Sequence, residues 1–113
     1  MSDNINVQFK RGTLDLILLS LIEKHGCNYG YVILEKMAEI GGQFFDNPKP
    51  GTVYPVLYRL EKDGFISVSG SDSKGGPARK LYSVTAEGKK KLKADIASWR
   101  DYNLVVEKFI GKK

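Results

Sequence analysis

The sequence predicts a mainly α-helical domain with one small β-hairpin, in the order helix, helix, helix, hairpin, long helix. Three observations carry this expectation. Apolar residues recur at helical spacing from Leu14 to Ile40 and again from Val53 to Leu60. The period then falls from 3.6 to 2 on either side of a stretch rich in Gly and Ser. From Ala86 to about Ile110 the helical pattern returns.

The first helix is expected from Thr13, acting as N-cap, to about Lys24, with Gly26 ending it. Leu14, Ile17, Leu18, Leu21 and Ile22 share one face, while Leu16 and Leu19 fall on others. Only Asp15 and Ser20 are polar between Leu14 and Ile22. A helix this apolar all round must be covered on several sides, which in a small chain points to a second subunit. The second helix is expected after Asn28 to about Ile40, with Ile33, Leu34, Met37 and Ala38 as its apolar stripe and Gly41-Gly42 as its stop. Residues 43–49 read as a turn docking back on the core. Pro50 suits the first turn of a third helix, where its missing N–H costs nothing. Val53, Val56, Leu57 and Leu60 form its buried face and Gly64 ends it.

Ile66 and Val68 then alternate with Ser67 and Ser69, and Tyr82 and Val84 with Leu81 and Ser83. The intervening Gly70 to Ala78 reads as a long hairpin loop. Thr85 is the expected N-cap of the last helix. This is the chain order of a winged helix-turn-helix followed by a long C-terminal helix. The expected division is a DNA-binding winged helix-turn-helix with its N-terminal helix over 1–85 and a dimerisation helix over 86–113, forming one compact unit.

At 113 residues the chain has room for one domain. Its net charge is +5, unevenly placed: residues 51–113 hold 13 of the 18 basic and 7 of the 13 acidic side chains. A basic half on a small domain suggests a polyanionic partner. A single Cys, Cys27, excludes an internal disulfide, and one Cys with one His cannot supply a closed four-ligand zinc site. The polar start lacks the apolar segment of a signal peptide, and no apolar run approaches a membrane span. These features predict a cytoplasmic protein without cofactor or membrane contact. His25 and Cys27 lie close together without a third partner, so both are read as structural and no catalytic residue is assigned.

In a helix-turn-helix the second helix of the motif enters the major groove. Here that is the Gly51 to Asp63 helix. Its outward side chains make Thr52, Tyr54, Tyr58, Arg59 and Lys62 the candidate DNA contacts, with Thr52 and Tyr54 placed at an exposed N-terminal turn. Pro55 cannot bond back to Gly51, so the first turn is expected to be open or the helix to begin late. The plainer reading is a solvated face whose tyrosines pack on neighbouring elements. In the hairpin loop, Lys74, Arg79 and Lys80 flank Gly75-Gly76, which suits a wing laid along phosphates; the plainer reading is a polar turn.

The last helix has the sharpest periodicity. Leu92, Ile96, Trp99, Asn103, Val106 and Ile110 follow a 4, 3, 4, 3, 4 spacing, the seam of a helix that pairs with another helix. Dimerisation is favoured over packing inside one chain. Lys89, Lys90, Lys91 and Lys93 face largely away and read as a solvated surface. Trp99, mid-seam, is read as interface packing, with an aromatic ligand between subunits as the functional alternative.

With those residues in place, the chain resembles the PadR-like transcriptional regulators, particularly the short type with a single C-terminal helix. The resemblance rests on residues 11–14 with the following Leu/Ile run, Tyr29-Gly30-Tyr31, residues 50–64 (PGTVYPVLYRLEKDG), residues 76–85 (GPARKLYSVT), and Glu87-Gly88. It implies a homodimeric repressor that leaves DNA when a small molecule or stress signal acts. Under it, Thr52, Tyr54 and Tyr58 meet the groove or phosphates, Arg79 and Lys80 serve the wing, and the helix bearing Trp99 dimerises. A tryptophan in this helix is also similar to that of short members that bind flat aromatic compounds between subunits. Two departures stand out: Lys49 where the family often has a Ser cap, leaving Asn47 as an alternative cap, and Ala78 in a wing that is often more basic.

The expected function is therefore a homodimeric, sequence-specific DNA-binding regulator, acting as a repressor on palindromic double-stranded DNA and relieved by a small, aromatic effector or a stress signal. The alternatives are a dimeric module that chiefly captures an aromatic ligand, and a winged helix used only for protein contact. An enzymatic role ranks last.

Overall fold

The computed structural model describes residues 2–42, 50–69 and 80–111, with side chains from residue 12 onward. Asn47, Lys49, Lys74, Gly75, Gly76, Ala78 and Arg79, singled out above, lie outside the described residues. The elements run α1 (Ser2–Glu23), α2 (Gly30–Gly41), α3 (Pro50–Lys62), β1 (Ile66–Ser69), β2 (Leu81–Val84) and α4 (Ala86–Ile110).

One boundary departs from expectation. Thr13 is not an N-cap but lies mid-helix, because α1 begins at Ser2. Nothing from Asp3 to Arg11 is a proline or glycine, so no local signal stops the helix from extending back. Gly12 is carried inside it, at a propensity cost of roughly 1 kcal/mol.

The other ends follow the glycines. Gly26 at φ +69° lets the Cys27 amide return to the Leu21 carbonyl at 2.9 Å. Gly64 at φ +86° closes α3: its own amide donates to Glu61 at 3.0 Å and that of Phe65 to Leu60 at 2.9 Å. Those are the paired bonds of a Schellman turn, which satisfy carbonyls the helix would leave open.

β1 and β2 pair antiparallel in the register Ile66↔Val84, Ser67↔Ser83, Val68↔Tyr82 and Ser69↔Leu81. Ile66 and Tyr82 point into the core while Ser67 and Ser83 stay exposed, as period-2 patterning requires. A single bridge from Tyr29 to Leu81 attaches the start of α2 to the hairpin. Asn28 strengthens that junction from both sides. Its carbonyl accepts from the Tyr82 amide at 2.7 Å and its side-chain amide donates to the Tyr82 carbonyl at 3.2 Å.

The core gathers Leu14, Leu18, Leu19, Leu21 and Ile22 of α1 with Ile33, Met37, Val53, Leu57, Leu60, Ile66, Tyr82 and Leu92. Leu18 and Leu19 are thus covered by their own chain, so the all-round apolarity of α1 is explained largely inside the monomer.

Thr85 caps α4, accepting from the Gly88 amide at 3.0 Å, while its hydroxyl donates to the Gly64 carbonyl at 2.7 Å. The start of α4 is therefore bound to the end of α3. Gly88 makes this approach possible. A Cβ there would come within 2.7 Å of the Val84 side chain and closer still to the Phe65 carbonyl oxygen, which is backbone and cannot swing away. Gly88→Ala is expected to cost about 2–3 kcal/mol and lower the melting midpoint by roughly 10 °C. Circular dichroism melting checks this, and an unchanged midpoint would mean that α4 is not seated on the hairpin.

Candidate nucleic-acid interface

α3 turns Val53, Leu57 and Leu60 inward, with Val56 half-buried beside them. Gly51, Thr52, Pro55, Tyr58, Arg59 and Lys62 are exposed on the rest of its circumference. The helix begins at Pro50 and runs through Pro55 without a break, so the late start that the sequence offers as one alternative is not adopted. Pro55 still leaves the Gly51 carbonyl without a helical partner.

The candidate contacts divide once they are placed. Thr52, Tyr58 and Lys62 stand on the open face, and Lys62 has no ion-pair partner among the described residues. Tyr54 is different. It packs half-buried against the core, and burial pushes its phenol above the ordinary value. Because α3 begins at Pro50, Tyr54 falls in its second turn and on the core's flank, away from the exposed N-terminal turn where the sequence puts it. Arg59 is half exposed, but its Nη2 donates to Asp15 Oδ1 of α1 at 2.6 Å, and Nη1 lies 3.9 Å from Asp63. The bond to Asp15 raises the guanidinium pKa still further.

Beside α3, the hairpin offers Lys80 at the foot of β2, half-buried. Tyr29 and Tyr31, at the start of α2, are exposed and stacked with ring centroids 6.1 Å apart. The sequence marks them only as part of a family resemblance, because no periodicity argument assigns a role to two exposed aromatics.

α4 serves two purposes along its length. Leu92, at 3% exposure, belongs to the core of its own chain, and Ile96 packs against that core. Beyond them the seam opens: Trp99 is 47% exposed, Asn103 and Ile110 are exposed, and Val106 is half-buried. Tyr102, Val105 and Phe109 widen this open strip on one side, Phe109 being 86% exposed. Three of the four lysines at the start of α4 are partnered by acids, Lys89 with Glu23 and Lys90 with Glu87 at 3.9 Å, and Lys91 with Asp95 at 2.9 Å.

Between α1 and α4 lies an open cleft of about 660 Å³. Leu16, Leu92, Ile96 and Trp99 give it apolar walls; Lys24, His25, Lys89, Lys93 and Arg100 sit with Glu23 around it. Cys27 is buried, its thiol directed at the His25 carbonyl at 3.8 Å. Burial pushes that thiol's pKa up, which opposes its use as a nucleophile. Among the described residues no group of His, Cys, Asp and Glu is placed to hold a metal ion, and no helix is long and apolar enough to cross a membrane.

Comparison with known proteins places this arrangement. Residues 18–94 match the family model described as the transcriptional regulator PadR-like family. An uncharacterised protein of Lysinibacillus sphaericus is 33% identical over 100 residues, covering 88% of this chain and 90% of that protein. The crystal structure of a PadR family transcriptional regulator from Eggerthella lenta superposes with a TM-score of 0.80 at 27% identity, over 97% of this chain and 92% of the other. The structure of a transcriptional regulator from Clostridium thermocellum gives 0.76 at 32% identity, over 91% and 95%.

Proposed function

Since this chain belongs to the PadR-like family of transcriptional regulators, whose members regulate and do not catalyse, we propose that it is a homodimeric, sequence-specific DNA-binding repressor acting in the cytoplasm. The observation that carries this reading is the division of α3: one face sealed into the core, the other presenting Thr52, Tyr58 and Lys62. Hydroxyls and a cation on a rigid helix are the groups that read bases and meet phosphates. Lys80, with Lys74 and Arg79 of the loop, extends the contact along the backbone. The open strip on α4 from Trp99 to Ile110 supports pairing with a second copy, because an apolar surface of that extent is rarely left to water. A two-fold dimer requires a palindromic double-stranded site with half-sites about one helical turn apart, ~34–36 Å, or a multiple. Selection of random duplexes by the purified protein tests this. Enrichment of a palindrome is the expected result, and no enrichment would contradict it.

The cleft beside Trp99 favours an aromatic effector as the releasing signal. With Lys89 turned to Glu23, the remaining Lys24, Lys93 and Arg100 favour a ring carrying negative charge. Titration with planar phenolic and carboxylate compounds is expected to change the fluorescence of Trp99, the sole tryptophan, more than planar cations do. An unchanged signal across both sets would remove the effector site.

A further inference from the structure

The long apolar run of α1 contains one charged residue between Leu14 and Ile22, and neither the core nor the reading face accounts for it. Asp15, 28% exposed, lies where α1 meets both α3 and α4 and offers one oxygen to each. Oδ1 accepts the 2.6 Å bond from Arg59, and Oδ2 lies 4.0 Å from Lys91 Nζ. The two links differ in strength. The first is a short, charge-assisted hydrogen bond; the second is a longer ion pair whose lysine already holds Asp95 at 2.9 Å and lies over the Phe65 ring.

We propose that Asp15 is a positioning residue for DNA reading, which tethers Arg59 and so sets the roll of α3 on the frame that carries the dimer helix. This rests on the DNA-reading role of α3 proposed above. The packing of Leu57 and Leu60 holds α3 at its depth and limits its rotation, but hydrophobic burial is non-directional and does not by itself set the last degrees of roll. A directional bond on the helix flank resists it well. A roll of about 20° moves a side-chain tip at ~6 Å radius by about 2 Å, more than a hydrogen bond tolerates. Tyr58 and Lys62 would then miss the groove positions to which the tether aims them. Arg59 accordingly acts through Asp15, with its guanidinium drawn off the reading face towards α1.

The test compares the wild type, Asp15→Asn, Arg59→Gln and the double variant on two probes: the duplex enriched by selection, and a random-sequence duplex of the same length. Each single variant is expected to reduce the ratio of the two affinities about tenfold, the size of one misread base pair. The double variant is expected to be no worse than either single, because both remove the same link. The slope of log affinity against log salt on the random duplex stays unchanged, since no phosphate contact is lost. An unchanged ratio would overturn the proposal, including the case where both affinities fall together, because mere loss of folded protein lowers both equally. A slope shallower by about 0.9 per Arg59 removed would also overturn it, by making Arg59 a direct phosphate contact. If Asp15→Asn does not fold, Arg59→Gln at its half-exposed site decides by the same two readouts. A wild type with no preference between duplexes would remove the DNA-reading role itself, a different failure.

Discussion

Replacing Phe109 and Ile110 together by lysine is expected to convert a dimer into monomers at micromolar concentration and to weaken operator binding by more than a hundredfold. Phe109 and Ile110 are 86% and 71% exposed in the single chain, so neither supports its own core and the variant should melt as the wild type does. In a dimer both lie on the strip that faces the partner. Each subunit then places two introduced charges in a surface that had excluded water, and burying unpaired charges costs several kcal/mol. Operator binding falls because two linked reading helices bind with an effective concentration that two free ones lack, a factor of about 10²–10⁴. Sedimentation velocity with a parallel gel shift measures both effects. A variant that remains dimeric, or a monomer that keeps full operator affinity, would show that α4 does not pair the subunits.

Tyr58→Ala is expected to reduce operator affinity by about 1–2 kcal/mol per half-site, twice that in the dimer, with a melting midpoint within about 2 °C of wild type. The side chain is exposed on α3 and packs on nothing in the core. Tyr54→Ala provides the contrast. That ring is half-buried against the core, so its loss should appear first in the melting temperature. Fluorescence anisotropy of a labelled duplex, alongside thermal melting, separates the two. If Tyr58→Ala binds as the wild type does, the outward face of α3 does not read the groove.

That contrast marks how far the residues could be read in one dimension. Tyr54 and Tyr58 are four apart and chemically alike; an exposed N-terminal turn makes the first a candidate contact, an outward face the second, and the family resemblance names both. Only the position of the helix start and the neighbouring Tyr82 divide them. The two strands of the hairpin were legible, because Ile66, Val68, Tyr82 and Val84 alternate with serines or a half-buried leucine, and period 2 has no helical counterpart. The seam of α4 was legible in part. Periodicity reports that a face is apolar, not what covers it, so Leu92 in the monomer core and Ile110 in the open belong to one unbroken pattern.

The bond from Arg59 to Asp15 joins residues 44 apart in the chain, and no local spacing announces it. The signal was nonetheless present, as a carboxylate inside a leucine run. Partial burial among leucines makes a cationic partner favourable for that carboxylate, though it does not say which cation supplies it. The α1 start was misread for the opposite reason. Thr13 is a good N-cap residue, but a cap is used only where the chain before it leaves the helix, and residues 3–11 contain nothing to make it do so.

The most direct test of a two-fold DNA reader is a hydroxyl-radical footprint of the purified protein on the duplex it selects, with the number of chains per duplex measured in parallel. Two chains per duplex are expected, protecting two patches related by a dyad and centred about one helical turn, or a multiple, apart. A single protected patch held by one chain, or even protection along the whole duplex, would contradict the account.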